Sequence, residues 1–420
     1  MEHARRTAER TARNSYGRLL AFLAARNRNI AAAEDALADA IRAALEHWPK
    51  QGTPDNPEAW LLTVARRNLQ HTSRHERVQT DAAPTLLLIA EEASEASIAA
   101  FPDERLPLLF VCAHPAIDPQ VQSPLMLQTV LGLDSARIAS AFLVAPATMA
   151  QRLVRAKTKI RDAGIAFALP EPADLAARLD TVLDAIYAAY GSGWDDALGA
   201  DPRRKGLSEE AIWLGRVLCE LLPDAAEARG LLALMLHCES RRAARRDAAG
   251  AFVPLDRQNP THWNAAMILE AEGELRRAAN ARQPGRFQLE AAIQSVHAQR
   301  GITGQTNWAA LAALHQALIT LAPSIGAVVS HAAVLGKLGQ ATDGLAKLDA
   351  LLPERVASYQ PYWVVRGDLL ARLGQIEASI AAYQRGIGLT EEPALRSFLN
   401  QQKAAISTQS DARKSPHPKA

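Results

Sequence analysis

Gly132-Leu-Asp-Ser-Ala-Arg-Ile-Ala-Ser-Ala-Phe-Leu-Val-Ala-Pro-Ala-Thr-Met-Ala-Gln-Arg-Leu-Val-Arg-Ala-Lys-Thr-Lys-Ile160 reads as helix, short turn, helix. Asp134 is placed to cap the first helix, and Pro146 suits the first turn of the second because its missing N–H would be unpaired there anyway. Ile138, Ala139 and Phe142 give the first helix an inner face. Met149, Leu153, Ala156 and Ile160 recur at i, i+4, i+7 and i+11, an apolar stripe of helical period. Opposite that stripe lie Thr148, Gln151, Arg152, Arg155 and Lys159, the donor-rich face that a recognition helix presents to a DNA major groove. A solvated basic face is the alternative reading of the same residues.

Upstream stands a second amphipathic pair. In Ala33-Glu-Asp-Ala-Leu-Ala-Asp-Ala-Ile-Arg-Ala-Ala-Leu-Glu-His-Trp48, Leu37, Ile41, Ala44, Leu45 and Trp48 form one stripe and leave Glu34, Asp35, Asp39 and Arg42 facing outward. After Pro54-Asp-Asn-Pro57 a further helix begins, in which Trp60, Leu61 and Val64 pack inward. At about 100° per residue, Thr63, Arg66, Arg67, Gln70 and Arg74 share its other face, which can meet phosphates or bases. Trp48 and Trp60 lie on apolar stripes and read as core.

The segment from Asp81 to Glu104 is acidic, without Lys or Arg, and reads as a linker with one short helix at Leu86 to Ala90. A second break falls at Leu169-Pro-Glu-Pro172, where the prolines stop one helix and start another. Beyond it amphipathic stretches follow one another with no period-2 alternation, so the fold class expected is all-α. Lys337-Leu-Gly-Gln and Arg372-Leu-Gly-Gln recur 35 residues apart, close to the tetratricopeptide (TPR) period of about 34. Around the second copy, Trp363, Gly367, Leu370, Gly374 and Tyr383 supply packers, a small contact and a turn glycine, with Ser379 and Gly386 where helices cross. Val328, Ala332, Leu335, Gly339 and Leu348 hold those slots in the first copy, and Gly344 and Leu351 the crossings. The polar, basic end from Ser407 to Ala420 reads as a disordered tail.

With 420 residues the chain exceeds one core and fits several domains. Lys plus Arg (47) nearly balance Asp plus Glu (45), so any nucleic-acid site must be local rather than a property of net charge. Cys112, Cys219 and Cys238 are too dispersed for a metal knuckle or a disulfide framework, which fits a cytoplasmic protein. No stretch reads as a signal peptide or membrane span. His237-Cys238 reads as helix core, and Arg241-Arg242-Ala-Ala-Arg245-Arg246 as a solvated loop. Nucleotide-loop, zinc-protease and serine-hydrolase motifs are absent, so the expectation is a protein that is not an enzyme, with no catalytic residues, cofactor or metal.

These blocks, in this order, resemble an extracytoplasmic-function (ECF) RNA polymerase sigma factor with a C-terminal TPR-like extension. The resemblance rests on AEDALADAIRAALEHWP, NPEAWLLTVARRN, DERLPLLFVCAHPAI, IASAFLVAPATMAQRLVRAKTKIRDAGI, LLALMLH, RFQLEAAIQSVHA and the two LGQ repeats, and it covers nearly the whole chain. It implies a first helical domain over 1–80 (region 2: core polymerase and the -10 element), an acidic linker over 81–102 and a helix-turn-helix over 103–168 (region 4: the -35 element). A helical TPR-like solenoid over 171–406 and a tail over 407–420 complete the expected order. It assigns the polymerase contact to the helix of Glu34, Asp35, Asp39 and Arg42, and promoter melting and -10 recognition to the helix from Trp60 to Arg77 and the loop after it. Core RNA polymerase and promoter DNA are the implied partners, with a protein partner for the extension and no membrane. Two other classes fit the same residues: a DNA-binding regulator with a TPR sensor that never joins polymerase, and a TPR scaffold whose N-terminal domains are relics.

Overall fold

A computed structural model describes residues 2–75, 103–142, 144–194 and 207–414. The regular structure among them is helical, so the fold is all-α; the β pairing among the described residues is an isolated bridge between Arg246 and Phe252. The chain divides into two compact units, Met1–Leu221 and Leu222–Ala420. The expected linker helix at Leu86 to Ala90 lies outside the described residues.

In the first unit, α1 (Glu2–Asn27), α2 (Ile30–Gln51) and α3 (Pro57–His75) pack on one another. Asn29 turns the corner into α2 by accepting from the Ala32 N–H at 3.1 Å, and Asn56 does the same for Ala59 at the start of α3. Leu19, Leu20, Phe22, Leu37 and Leu61 are wholly buried between them. Trp48 and Trp60 meet edge to face with centroids 5.5 Å apart, both in the core. Leu45 departs from its expected stripe and is 39% exposed, because Ala44 already occupies the inner line at that turn.

Next come α4 (Arg105–Cys112), α5 (Pro119–Thr129), α6 (Ser135–Ala141) and α7 (Pro146–Asp162). Asp118 caps α5 through the Gln120 N–H, and Asp134 caps α6 through the Arg137 N–H at 2.8 Å. Pro124 sits within α5 among buried residues on either side. Met149, Leu153, Ala156 and Ile160 of α7 are all buried, as their spacing requires.

The first unit does not stop at the prolines. A helix starts at Pro172 as expected, but α8 (Pro172–Trp194) packs on α4 and α5, and α9 (Leu207–Leu221) packs on α8. Arg178 donates to the Phe110 carbonyl at 2.6 Å, and the Arg105 guanidinium lies over the Trp213 ring. Proline punctuation marks where a helix begins but says nothing of which neighbour buries its apolar face.

In the second unit, α10 (Ala226–Ser240), α11 (Ala265–Asn280) and α12 (Arg286–Ala298) pack together. Gly285 has no side chain with which to cap α12, so the Glu227 carboxylate accepts from the Phe287 and Gln288 N–H groups instead. The basic run after α10 is tied down rather than loose: Arg242 pairs with Glu239, and Arg246 with Glu392. His237 is buried in α10, as expected of a core residue.

The remaining helices are α13 (Trp308–Leu321), α14 (Ile325–Lys337), α15 (Ala341–Asp349), α16 (Gln360–Arg372), α17 (Ile376–Gly388) and α18 (Pro393–Lys414). The two Leu-Gly-Gln stretches make the same turn. Gly339 (φ 80°) and Gly374 (φ 73°) adopt the left-handed conformation, and the Gln340 and Gln375 N–H groups each reach back 2.9 Å to the carbonyls of Leu335 and Leu370. Small residues then let helices touch: the Ser379 hydroxyl donates to the Gly367 carbonyl at 2.7 Å, and a Cβ on Gly344 would lie 2.8 Å from the Ala332 carbonyl oxygen. The chain beyond Ser407, expected to be a disordered tail, continues α18 to Lys414, with no glycine or proline to break it.

The imidazoles of His315 (α13) and His331 (α14) stack 6.4 Å apart. Burial first, then the His331 charge, pushes His315 down from 6.5 to about 4, and burial and Lys347 also lower His331. A folded pKa below the unfolded one means that the unfolded chain binds more protons, so this joint loses stability as pH falls from 6.5 toward 4. Thermal melts at pH 7 and pH 4.5 should therefore differ more for the natural chain than for His315→Phe; equal differences would contradict the burial account.

Candidate nucleic-acid interface

Along α7, Thr148, Gln151, Arg155 and Lys159 are exposed and Arg152 is half-buried. Among the described residues, Arg152, Arg155 and Lys159 make no ion pair, whereas Arg161 bonds Asp162 at 2.8 Å. The positive charge on this face is thus uncompensated. Val154 stands 61% exposed beside Arg155 and Lys159, an apolar group that the sequence pattern did not single out. Its signal is a valine at a solvent position of a strongly amphipathic helix, an apolar group set between cationic neighbours.

The face expected on α3 is more varied. Thr63 is half-buried and its hydroxyl donates to the Ala59 carbonyl at 2.8 Å, so that donor is spent inside the helix. Arg66 and Gln70 are exposed and Arg67 half-buried; Arg74 lies on α3, but its side chain is outside the described residues. The Arg66 guanidinium sits 4.8 Å from the centroid of the buried Phe22 ring, and that of Arg26 sits 3.6 Å from it. Burial and, after it, the Arg26 charge lower the pKa of Arg66. Two guanidiniums gathered over one ring make a local basic site, of which sequence reasoning found only Arg66. The missing signal was the i, i+4 step from Phe22 to Arg26 at the end of α1.

On α2, Asp35, Asp39 and Arg42 face outward, and Arg42 bonds Asp39 at 2.9 Å. Glu34 does not, which corrects the expectation. Its carboxylate accepts from the Lys157 ammonium of α7, with the two side chains only 16% and 8% exposed. Burial raises the Glu34 pKa and Lys157 offsets this in part; burial, followed by the charges of Glu34 and Asp35, likewise raises the Tyr16 hydroxyl. The four residues grouped by the α2 pattern are therefore three surface residues and one member of an internal ion pair.

Residues 12–78, which span α1 to α3, match the Sigma-70 region 2 family, and residues 178–279 match a family of unknown function (DUF6596). The chain is 36% identical over 381 residues to the uncharacterized protein R00370 of Rhizobium meliloti (strain 1021), covering 89% of this chain and 90% of that one. No solved structure matches the chain. No helix among the described residues is long and apolar enough to cross a membrane. Matched over nearly its whole length, the chain belongs to the family of that Rhizobium meliloti protein and, by its Sigma-70 region 2, is a sigma-factor-like protein.

Proposed function

We propose that the chain is an ECF-type sigma factor that directs core RNA polymerase to promoters. The observation that carries this reading is the unpaired basic face of α7 in a chain whose α1–α3 match Sigma-70 region 2. Region 2 is the polymerase-binding part of such proteins, which perform no bond chemistry themselves. In this reading Asp35, Asp39 and Arg42 meet polymerase, while Arg66, Arg67, Gln70 and Arg74, with Arg26, meet the -10 element. Residues 103–168 act as region 4, with Thr148, Gln151, Arg152, Arg155 and Lys159 at the -35 element and Val154 among them. The helices of the second unit, from residue 222 onward, form a TPR-like extension that regulates activity or binds a protein partner, while α8 and α9 complete the first unit. The matched turns at Gly339 and Gly374, with small residues at the helix crossings, support the repeat reading.

The test is reconstituted transcription with the full-length chain, bacterial core polymerase and a library of promoter fragments. Initiation from a defined subset is the expected result. Binding to DNA without any binding to core polymerase would replace this reading with a free-standing regulator.

A further inference from the structure

Two cations share one buried ring with no anion beside them. Arg26 and Arg66 are exposed, and their guanidiniums sit 3.6 and 4.8 Å from the centroid of Phe22, a ring fixed in the core of α1–α3. Neither makes an ion pair among the described residues. The surrounding sequence supplies no acid: there is none from Arg10 to Ala33, and none from Ala59 to His75 on α3. Like charges gathered over one ring repel, so the arrangement is most favourable when an anion from outside lies against both.

Arg28 adds a third cation at the adjoining turn. Only Arg28 and Asn29 separate α1 from α2, and the φ of Arg28 is 54°, a left-handed conformation in which glycine is the usual occupant. The turn is fixed on both sides of it. The Arg28 N–H donates to the Ala24 carbonyl at 2.8 Å, and the Asn29 N–H donates to the Asn27 Oδ1 at 2.8 Å. Arg28 is exposed and, like its neighbours, makes no ion pair among the described residues. A cation at the carboxyl end of a helix answers the helix dipole, but Arg26 already does so from within α1 and without strain. An arginine kept where glycine would sit more easily points to a use for its charge.

We propose that Arg26, Arg28 and Arg66 form a clamp for a phosphodiester of the DNA backbone, which positions the chain on the duplex without reading its sequence. The inference deepens the -10 reading above and rests on it for the identity of the DNA. A guanidinium presents a planar fork of N–H donors that matches phosphate oxygens, and a phosphodiester carries the same charge whatever base stands beside it. The Phe22 ring gives Arg26 and Arg66 a rigid floor, so less side-chain freedom is lost when the phosphate arrives.

The test uses the full chain and two short labelled duplexes of unrelated, promoter-free sequence, with affinity read by fluorescence anisotropy over a series of salt concentrations. Arg26→Gln and Arg28→Ala should each weaken binding about fivefold on both duplexes and reduce the slope of log affinity against log salt by about 0.9, the effect of one lost phosphate contact. Arg28→Lys keeps the charge and should stay within about twofold of the natural chain. Arg28→Gly should bind as weakly as Arg28→Ala yet melt no lower than the natural chain, because glycine relieves the left-handed strain. Far-UV circular dichroism checks that every variant keeps its helices. A natural chain that binds neither duplex overturns the clamp, as do unchanged slopes in both Arg26→Gln and Arg28→Ala, or losses confined to one duplex. Initiation with core polymerase is measured on the same preparations. A natural chain that initiates while the slopes stay unchanged overturns the clamp alone; one whose slopes fall as expected but that neither binds polymerase nor initiates overturns the sigma-factor reading alone.

Discussion

Alanine at both Arg152 and Arg155 is expected to reduce initiation from a cognate promoter roughly thirtyfold or more, because each arginine contact to a base or phosphate is worth about 1–3 kcal/mol. Neither guanidinium has an ion-pair partner among the described residues to lose, so the melting temperature should stay nearly unchanged. That separation of activity from stability distinguishes an interface from a solvated basic face. The single variants go further. Loss of a phosphate contact weakens all promoters alike and reduces the salt dependence by about one counterion, whereas loss of a base contact relaxes the preferred sequence at one position. Full activity in the double variant would remove α7 from the DNA-reading role.

Phe22→Ala should have the largest effect on stability. The ring is 1% exposed at the centre of α1–α3, and truncating such a phenylalanine costs about 3–5 kcal/mol. A domain of this size has only about 5–15 kcal/mol in hand, so the variant is expected to lose much of its folded population in mild denaturant. Trp48 and Trp60, buried in the same bundle, report the transition by fluorescence. Phe22→Leu should keep the fold within about 1.5 kcal/mol, yet it removes the π face beneath Arg26 and Arg66. Weaker DNA binding in Phe22→Leu, at nearly natural stability, would show that the ring also positions the two guanidiniums. Unchanged denaturation of Phe22→Ala would contradict its place in the core.

What could be read from the sequence was local. The α6–α7 pair was legible because its cap, its opening proline and its apolar stripe all fall within one short stretch, each reporting on neighbours a turn away. The glycine turns at Gly339 and Gly374 were legible for the same reason, since only the adjoining helix ends decide them. What escaped was decided across long separations. Lys157 sits 123 positions from Glu34, and on a helical wheel it looks like one more surface lysine. Glu227 caps α12 from about sixty residues upstream, where no local pattern marks a cap. Arg26 joins Arg66 through a ring on another turn of α1, a grouping that the α3 pattern alone could not contain.

The helix pair α8–α9 bears on how such a chain can be inherited. Residues 178–279 form a recognisable family segment, yet the first unit extends through Leu221. The family segment and the folding unit therefore overlap without coinciding. Excising the segment would strip α4 and α5 of the helix whose Arg178 bonds the Phe110 carbonyl. Grafting it onto another N-terminal half would bring a helix whose apolar face is shaped for absent partners. The two halves of the gene are accordingly constrained to travel and diverge together, and recombination near residue 170 should yield offspring that fold poorly, whereas a junction near Leu221 divides the chain between its compact units.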